Sequence, residues 1–190
     1  MSSADAALLA APMEGAAWPG GHIAVVPLAE EHREGFRACC DPADPVWEVY
    51  PYNLLGANFD PLFDAALGLP GRMAFAVMVD GKVRGTTSFL AITPDRQGLE
   101  IGGTFLAQGV RGIGLNARVK DLLLTRVFAA GFRRVEFRVD ARNARSQAAV
   151  LKLGAVREGL LRAERITWTG HVRDTVVFSI LTHEWQEAKA

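Results

Sequence analysis

Two periods in the spacing of hydrophobic residues organise this sequence. Between residues 134 and 139, apolar and charged residues alternate, which is the pattern of a strand with one buried face. Between residues 115 and 127, apolar residues recur every three or four positions, which is the pattern of an amphipathic helix, and Gly131 is a typical helix end. Strands and helices are therefore predicted to share one core.

Two hairpins bound the predicted sheet. Residues 73–79 and 82–91 flank an Asp-Gly pair, which readily adopts the positive φ angles of a tight turn. Residues 156–168 and 172–181 flank a Thr-Gly pair in the same way. The other predicted elements are strands at 23–28, 98–106 and 134–139, helices at 29–40, 62–67 and 143–153, and the helix that Gly131 ends.

The order of these elements indicates a single mixed α/β domain, with a central twisted mixed β-sheet flanked by helices. We expect this domain to span residues 22–187. Residues 1–21 are rich in Ala, Pro and Gly without a period, which predicts a loose tail. Pro27 cannot donate to an interior ladder, so the strand at 23–28 is predicted at a sheet edge.

The segment between residues 41 and 70 combines five prolines with five aromatic residues. Prolines at this density break long helices, so loops around one short helix are predicted. Aromatic residues on such loops either line a binding cleft or pack against the sheet. Trp47 and Tyr52 are the substrate-binding candidates under the first interpretation.

Charge is distributed unevenly along the chain. The 190 residues carry 21 Lys plus Arg and 21 Asp plus Glu, for a net charge of zero. Residues 1–71 hold ten acidic and two basic residues, a charge of −8, and residues 72–190 hold the compensating +8, mostly as arginine. Either the two halves pair with each other, or each meets a ligand of opposite charge.

Several classes of protein are disfavoured. The longest stretch without Asp, Glu, Lys or Arg, residues 15–29, contains two prolines and is too short to span a bilayer as a helix. The first basic residue is Arg33, so a signal or transit peptide is not indicated. Cys39, Cys40 and four scattered histidines match no zinc or disulfide spacing. We expect a cytoplasmic protein with no metal and no membrane partner.

Gly109, Gly112 and Gly114 lie between a predicted strand and a predicted helix. Free amides and the dipole at a helix N-terminus attract anions, and glycine allows close approach, so this turn is a candidate phosphate site. The spacing matches neither the dinucleotide fingerprint nor the P-loop. Taken alone, such a turn is more often a tight connection without a ligand.

Other motifs accompany this turn, and together they resemble the GNAT acyltransferase superfamily, specifically its RimJ/RimL-like branch. They are RGIGLN at 111–116, DARNARSQAA at 140–149, LGA at 153–155, EGLLR at 158–162, RDTVVFSI at 173–180 and EW at 184–185. The resemblance covers residues 23–185 and is most specific from Glu100 onward. It departs from the family at Gly109, where Gln or Arg is common.

The resemblance implies acetyl-CoA or another acyl-CoA as co-substrate, with its pantetheine between the strands at 98–106 and 134–139. The implied cofactor-binding residues are Phe105, Leu106, Arg111, Gly112, Ile113, Gly114, Leu115, Asn116, Asn143 and Lys152. Phosphates of coenzyme A agree with the basic half of the chain, where Arg118, Arg142 and Arg145 are further helpers. The resemblance also makes Asn143 a catalytic candidate that binds the cofactor or an ordered water, and its alternative role is that of a helix N-cap.

The implied reaction is direct attack of a primary amine on the thioester, without a metal or a covalent intermediate. Such an amine is mostly protonated at neutral pH, so a base is expected, and Glu100 is the leading candidate. A cross-strand pair with an arginine is the alternative role for Glu100. The helix after Asn143 lacks the tyrosine that many GNAT enzymes use as acid, and Ser146 is the matching candidate near the sulfur.

Several hypotheses stay open. The acidic loops favour a cationic acceptor, such as a small-molecule amine or a protein N-terminus. Succinyl-CoA is an alternative donor that calls for an extra basic residue near the acyl end, and a noncatalytic acyl-CoA-binding regulatory module is an alternative from another class. A homodimer is expected only by analogy. Nucleic-acid binding ranks last, because charges alternate in sign between 134 and 140.

Overall fold

The computed structural model describes residues 3–15, 18 and 21–189. In these residues the chain forms one eight-stranded mixed sheet with helices on both faces, which confirms the predicted fold class. The strands are β1 (Met13–Glu14), β2 (Ile23–Pro27), β3 (Met73–Val79), β4 (Lys82–Thr93), β5 (Gly98–Leu106), β6 (Arg134–Asp140), β7 (Val156–Ile166) and β8 (Val172–Leu181). The helices are α1 (Ser3–Ala10), α2 (Arg33–Arg37), α3 (Phe59–Gly68), α4 (Leu115–Ala129), α5 (Ala144–Leu151) and α6 (Thr182–Glu187).

The sheet opens in its middle, between β5 and β6. The strand order is β1-β2-β3-β4-β5-β6-β8-β7, and β5 and β6 form its parallel pair. Their ladder runs only from Gly98 opposite Arg134 to Glu100 opposite Glu136. Beyond Glu100, β5 pairs with β4 and β6 pairs with β8. The two parallel strands therefore separate, as the resemblance implied.

Two hydrophobic cores lie on the two faces of the sheet. Leu106 belongs to the core that also contains the buried side chains of α1 and α4. Its neighbour Phe105 belongs to a second core, together with residues of α2 and α3. Successive residues of a strand point to opposite faces, so α4 and α3 cover opposite sides of the sheet.

The prediction of a loose tail over residues 1–21 is wrong for the described part of that segment. Leu9 of α1 is fully buried, and Arg126 of α4 donates to the carbonyl oxygens of Leu8, Ala11 and Pro12 at the end of this helix. An Ala-rich stretch shows little period, yet one buried leucine and a capped C-terminus are enough to fix it. The rest of the predicted tail lies outside the described residues.

The edge position predicted for β2 is also wrong. β1 pairs with β2 on its outer side, placing Met13 opposite Val25 and Glu14 opposite Ala24. Pro27 lies beyond the end of β1 and pairs with Phe75 on the inner side. The missing N–H of Pro27 thus costs no β1 hydrogen bond.

In the described part of the chain, no helix has the length and apolar character that crossing a membrane requires.

Candidate active site

A cleft of about 580 Å³ follows the line along which β5 and β6 separate. Glu100 and the following residues of β5 form one side, and Phe137–Asp140 of β6 forms the other. Arg111, Gly112 and Asn116, before and at the start of α4, line one end. The opening in the sheet and the glycine turn therefore belong to one continuous site.

A loop over residues 44–52 forms the roof of this cleft. The indole nitrogen of Trp168 donates to the carbonyl oxygen of Trp47 at 2.8 Å. The backbone amide of Trp168 donates to the carbonyl oxygen of Pro51 at 3.1 Å. Arg142 donates to the carbonyl oxygen of Glu48 at 3.1 Å. These bonds fasten the roof to the β7–β8 hairpin and to the start of α5.

β5 contains a bulge where it faces the cleft. Its register with β4 shifts between Thr86 and Ser88, and Gly103 has a φ of +56°. A bulge bends the strand and leaves part of its backbone outside the ladder. At Gly102, a Cβ atom would lie 2.5 Å from Oε1 of Glu100, so glycine makes room for this carboxylate. The bulge thus shapes the backbone between Glu100 and Thr104 for close approach.

The glycine turn before α4 contains two glycines in the left-handed backbone region. Gly112 and Gly114 have φ angles of +82° and +91°, which favour glycine. Gly114 is the N-cap of α4, whose first amides have no partner within the helix. A Cβ atom on Gly112 would lie 3.7 Å from the guanidinium of Arg145, which also lines the cleft. Backbone amides, the helix dipole and an arginine therefore meet where an anion is expected.

Arg111 connects the acidic and basic halves of the chain. Its guanidinium forms an ion pair with Asp44 at 2.5 Å and donates to the carbonyl oxygen of Leu106 at 2.6 Å. Burial is the largest single influence on Asp44 and opposes its ionisation. The hydrogen bonds from Arg111 and from the Val46 amide, with the charges of Arg111 and Arg145, together outweigh it and hold the pKa of this carboxyl below its usual value. Arg111 is therefore a structural clamp between the roof and β5, and much of its charge is already compensated.

The Asp44→Asn variant is expected to lower the free energy of unfolding by about 3 kcal/mol, because it leaves the Arg111 charge largely buried without its partner. Asp44 contributes its full stabilisation at pH values above the usual carboxyl pKa. This contribution is lost as the pH falls through the lowered pKa that Asp44 has in the folded chain. Urea unfolding at pH 7 and pH 3 measures both effects. Exposed Asp41, changed to Asn, is the matched control, and equal losses in the two variants would contradict the clamp.

Glu100 lies in the cleft, at the last residue of the β5–β6 ladder. Its side chain is 16% exposed, and Oε2 lies 3.8 Å from Nε of Arg138 on β6. Burial raises the pKa of Glu100, and the charge of Arg138 only partly offsets this. The cross-strand arginine foreseen as an alternative is thus present, but it is too distant for a hydrogen bond. Glu100 combines access to the cleft with a raised proton affinity.

Lys120 is a second titratable group in the cleft, and the sequence reasoning missed it. It points from α4 into the opening, where Nζ donates to Oγ1 of Thr104 at 2.5 Å and lies 3.4 Å from Oγ1 of Thr87. Its Nζ is also 6.0 Å from the ring centroid of Phe137 on β6. Lys120 therefore lies between the separated strands.

Burial lowers the pKa of Lys120 to about 7, although the charge of Glu100 opposes the shift. Only 5% of the residue is exposed, and its hydrogen-bond partners are hydroxyl groups rather than carboxylates. A sequence signal exists: Lys120 precedes Leu123 and Leu124 by three and four residues, which places it on the buried face of α4. A lysine on the apolar face of a helix indicates a buried titratable group, which is a candidate functional residue.

Asn143 and Ser146 both line the cleft at the start of α5. Oδ1 of Asn143 accepts a hydrogen bond from the amide of Ser146 at 2.9 Å, which is the N-cap role foreseen for it. Lys152, predicted to contact the cofactor, is exposed at the other end of α5 and lies outside the cleft lining. The helix N-terminus thus faces the site, while its C-terminal lysine does not.

The two aromatic candidates have different positions. Tyr52 lines the cleft. Trp47 is 3% exposed, stacks on Phe105 with ring centroids 5.0 Å apart and donates to the carbonyl oxygen of Asp41. Trp47 therefore packs against the sheet, which was the alternative interpretation. The neighbouring Tyr50 also lines the cleft, and its hydroxyl donates to the carbonyl oxygen of Thr104.

The acidic loop residues do not form a cation-binding wall. Asp60 is bound by Arg33 and Arg37, and Asp64 by Arg33. Of the loop acids only Asp44 reaches the cleft, and Arg111 holds it. The structure thus removes the basis on which a cationic acceptor was expected.

Neither cysteine contributes to the site. Cys39 and Cys40 are free thiols outside the cleft, and burial raises the pKa of both, that of Cys40 to about 12. In the described part of the chain, no three His, Cys, Asp or Glu side chains form a metal-binding group.

A mixed sheet that opens between two parallel strands, with a glycine turn and a helix N-terminus at one end of the opening, defines the class of acyltransferases that use acyl-CoA. Residues 22–156 match the family model for the acetyltransferase (GNAT) domain. The chain belongs to the GNAT acetyltransferase family.

Solved structures agree with this assignment. A protein from T. thermophilus provisionally described as an acetyltransferase is 37% identical, with 90% of this chain and 92% of that chain covered and a TM-score of 0.79. A GCN5-related N-acetyltransferase from Brucella melitensis is 25% identical, with 93% and 81% covered and a TM-score of 0.84. Mycobacterium smegmatis RimJ, solved with CoA-disulfide, shares the fold at 18% identity, with 95% of each chain covered and a TM-score of 0.79. No curated protein matches the chain.

Proposed function

We propose that this protein transfers an acyl group, acetyl in the simplest case, from acyl-CoA to the nitrogen of a primary amine. The observation that carries the proposal is the meeting of three features in one cleft: the glycine turn at α4, the strand backbone beyond Glu100, and the titratable pair Glu100 and Lys120. An open strand edge suits an extended arm that carries amides, and a helix N-terminus suits a pyrophosphate. These are the two recognition features of coenzyme A.

The residues proposed to bind acyl-CoA follow from this arrangement. Leu106, Arg111, Gly112, Asn116 and Asn143 line the cleft. Phe105, Ile113, Gly114 and Leu115 are proposed to contribute through their backbone, since the Phe105 and Leu115 side chains are buried. Lys152 is not included, because it is exposed outside the lining. Arg145, beside Gly112, is the better candidate for a phosphate oxygen.

The reaction requires two proton transfers around one bond exchange. The amine nitrogen attacks the thioester carbonyl carbon, the C–N bond forms, the C–S bond breaks, and coenzyme A leaves as a thiolate. Glu100 is proposed to take the proton that the amine must lose, and Lys120 to supply the proton that the thiolate gains. Ser146 was the donor foreseen from the sequence. Lys120 is favoured over it because its pKa of about 7 matches proton donation near neutral pH.

The finer assignment to the RimJ/RimL-like branch is part of the proposal and is supported by the motifs at 111–116 and 140–149. A protein N-terminus and a small-molecule amine are both acceptors compatible with a cleft of this size. A cytoplasmic location belongs to the same proposal.

A thiol-release assay tests the proposal. The full chain is incubated with acetyl-, propionyl- or succinyl-CoA and a panel of amines and peptides, and free coenzyme A is measured together with the acylated product by mass spectrometry. Acceptor-dependent thiol release with an N-acyl product supports the proposal. Tight acyl-CoA binding without turnover on any acceptor would overturn it in favour of the noncatalytic acyl-CoA-binding module.

The homodimer remains a prediction, and a substitution in β7 is the best test of it. This strand ends the sheet and leaves several large apolar side chains exposed, among them Val156, Leu160 and Ile166 at 52%, 42% and 71%. An exposed apolar edge strand is a docking template. Leu160→Lys is expected to convert a dimer into a monomer in size-exclusion chromatography with light scattering. A wild-type monomer at 100 µM, on the order of concentrations used in such work, would contradict the prediction.

A further inference from the structure

Arg173 of β8 is buried in the wall of the cleft with little to compensate its charge. Its side chain is 7% exposed, and among the described residues Nε has no hydrogen-bond partner. One Nη atom reaches the carbonyl oxygen of Arg138 at 3.5 Å, and Nε lies 3.9 Å from the carboxylate of Asp140. A guanidinium carries five N–H donors, and burying it without partners is costly. Arg173 therefore points to a ligand.

Asp140 does not neutralise Arg173, because it is engaged elsewhere. Its two carboxylate oxygens accept hydrogen bonds from the Arg142 side chain at 3.1 and 2.9 Å. The Arg142 amide donates to it as well, at 2.8 Å. The bidentate pair of Asp140 with Arg142 leaves only the distant contact for Arg173.

A second arginine lies directly opposite Arg173. In the β7–β8 ladder, Arg165 is the register partner of Arg173. Like charges at directly opposed positions destabilise a sheet. Burial lowers the pKa of Arg173, and the charge of Arg165 lowers it further. Arg165 itself is paired with Glu164 at 2.7 and 2.9 Å, so that carboxylate is also engaged.

Arg138 completes the group from β6, and its nearest carboxylate is Glu136 at 3.1 Å. Arg138, Arg165 and Arg173 all line the same cleft as Glu100. Arg138, Arg142 and Arg165 each form an ion pair with a carboxylate. Glu100 is a further carboxylate in the cleft, 3.8 Å from Arg138, and its charge also acts on Arg173. Among the described residues, however, no carboxylate accepts a hydrogen bond from Arg173, so its N–H donors remain available to an anionic group.

We infer that Arg173, flanked by Arg165 and Arg138, binds a carboxylate carried by one of the two substrates. The inference rests on the proposed acyl transfer and names its substrate class. A planar guanidinium fork matches the two oxygens of a carboxylate. This carboxylate belongs either to the acyl chain, as in a dicarboxylic acyl-CoA, or to an amino-acid acceptor. A carboxylate-bearing substrate takes the place of the cationic acceptor that the acidic loops had favoured.

The test compares substrates that differ only in the carboxylate. The donor arm uses succinyl-CoA against butyryl-CoA, and the acceptor arm uses amino acids against their amides. For each pair the ratio of kcat/KM is measured in the wild type, Arg173→Met, Arg165→Met and the control Arg162→Met, whose arginine is exposed on β7 outside the cleft. The wild type is expected to prefer the carboxylate by about 10- to 100-fold in one arm, the value expected for a charge-assisted hydrogen bond.

The arm that shows the preference identifies the source of the carboxylate. Arg173→Met is expected to reduce the ratio to near one, Arg165→Met to reduce it partly, and Arg162→Met to leave it at the wild-type value. Turnover with no carboxylate preference, or a preference that survives Arg173→Met, overturns the inference. Thermal unfolding checks that the variants are folded, which is expected since replacing a poorly paired buried arginine by methionine is neutral or stabilising.

Binding calorimetry separates this inference from the proposed function. Succinyl-CoA, butyryl-CoA, N-acetyl amino acids and their amides are titrated into wild type and Arg173→Met without any requirement for turnover. A carboxylate-dependent affinity that disappears in Arg173→Met supports the arginine site even if no acceptor is acylated, a result that overturns the proposed function alone. Equal affinities with and without the carboxylate, together with active turnover, overturn the arginine site alone.

Discussion

At pH 7 the Lys120→Met variant is expected to acylate its acceptor about 100- to 1,000-fold more slowly than the wild type, the range typical of losing one proton-transfer group. The loss is expected in kcat, because the thiolate needs its proton only as the C–S bond breaks. Methionine keeps the length and apolar stem of the lysine, so the packing of α4 is retained. Single-turnover measurements with saturating acyl-CoA isolate this step from binding.

The pH dependence provides the sharper readout. Lys120 must be protonated to act as a donor, and burial sets its pKa at about 7, so kcat is expected to fall as the pH rises above 7. The groups around Nζ are the hydroxyls of Thr104 and Thr87 and the carboxylate of Glu100. Among these groups the carboxyl of Glu100 also titrates, and burial raises its pKa. In Lys120→Met this descending limb is expected to disappear.

The free energy of unfolding should rise with pH over the range in which kcat is expected to fall. Because the pKa of Lys120 is lower in the folded chain than its usual value of 10.5, the unfolded chain binds more protons between about pH 7 and pH 10.5. The wild type should therefore become more stable as the pH rises through this window. Lys120→Met should be more stable than the wild type at pH 6, with the difference shrinking toward pH 10.

Ser146→Ala is the comparison that assigns the proton donor. If Ser146 supplies the proton, its variant loses the rate and Lys120→Met does not. If Lys120 supplies it, the order is reversed, and only Lys120→Met abolishes the descending limb. A Lys120→Met enzyme that retains its rate and its pH profile would leave the lysine as a packing residue only.

The sequence predicted the scaffold of the site better than its chemistry. The spacing of hydrophobic residues and the residues typical of turns predicted β3, β5 and β8 with the bounds that the structure has. The GNAT motifs identified the pair of parallel strands that separates. These features depend on local pattern, which a sequence carries directly. Lys120 was missed because its role depends on the bulge at Gly103, which brings Thr104 of β5 next to α4. No local pattern reports a contact between these two elements.

The charges show the same limit. Sequence reasoning assigned the acidic loops to a cationic ligand, but Asp60 and Asp64 meet Arg33 and Arg37 on the neighbouring helix. Salt bridges between elements distant in sequence follow from tertiary packing, which composition does not encode. In the sequence Arg173 is only one member of a family motif, and its importance comes from what surrounds it in the sheet.

The Glu100→Gln variant is expected to lower kcat about 100-fold, since glutamine keeps the shape of the carboxyl but cannot accept a proton. Burial raises the pKa of Glu100, so the wild-type rate should climb with pH through a value above the usual 4.5, and this ascending limb should vanish in the variant. A second effect is expected at the other limb. The charge of Glu100 raises the pKa of Lys120, so removing it should shift the descending limb to lower pH.

Glu136→Gln is the matched control, because Glu136 lies directly opposite Glu100 in the β5–β6 ladder but outside the cleft lining. The charge of Glu136 contributes to raising the pKa of Glu100. Its removal should therefore keep both limbs and shift the ascending one to lower pH. If Glu100 is the base, only Glu100→Gln loses the ascending limb. If Glu100 is merely an ion-pair partner of Arg138, both variants keep it. Equal rates and unchanged limbs in the two variants would remove Glu100 from the reaction.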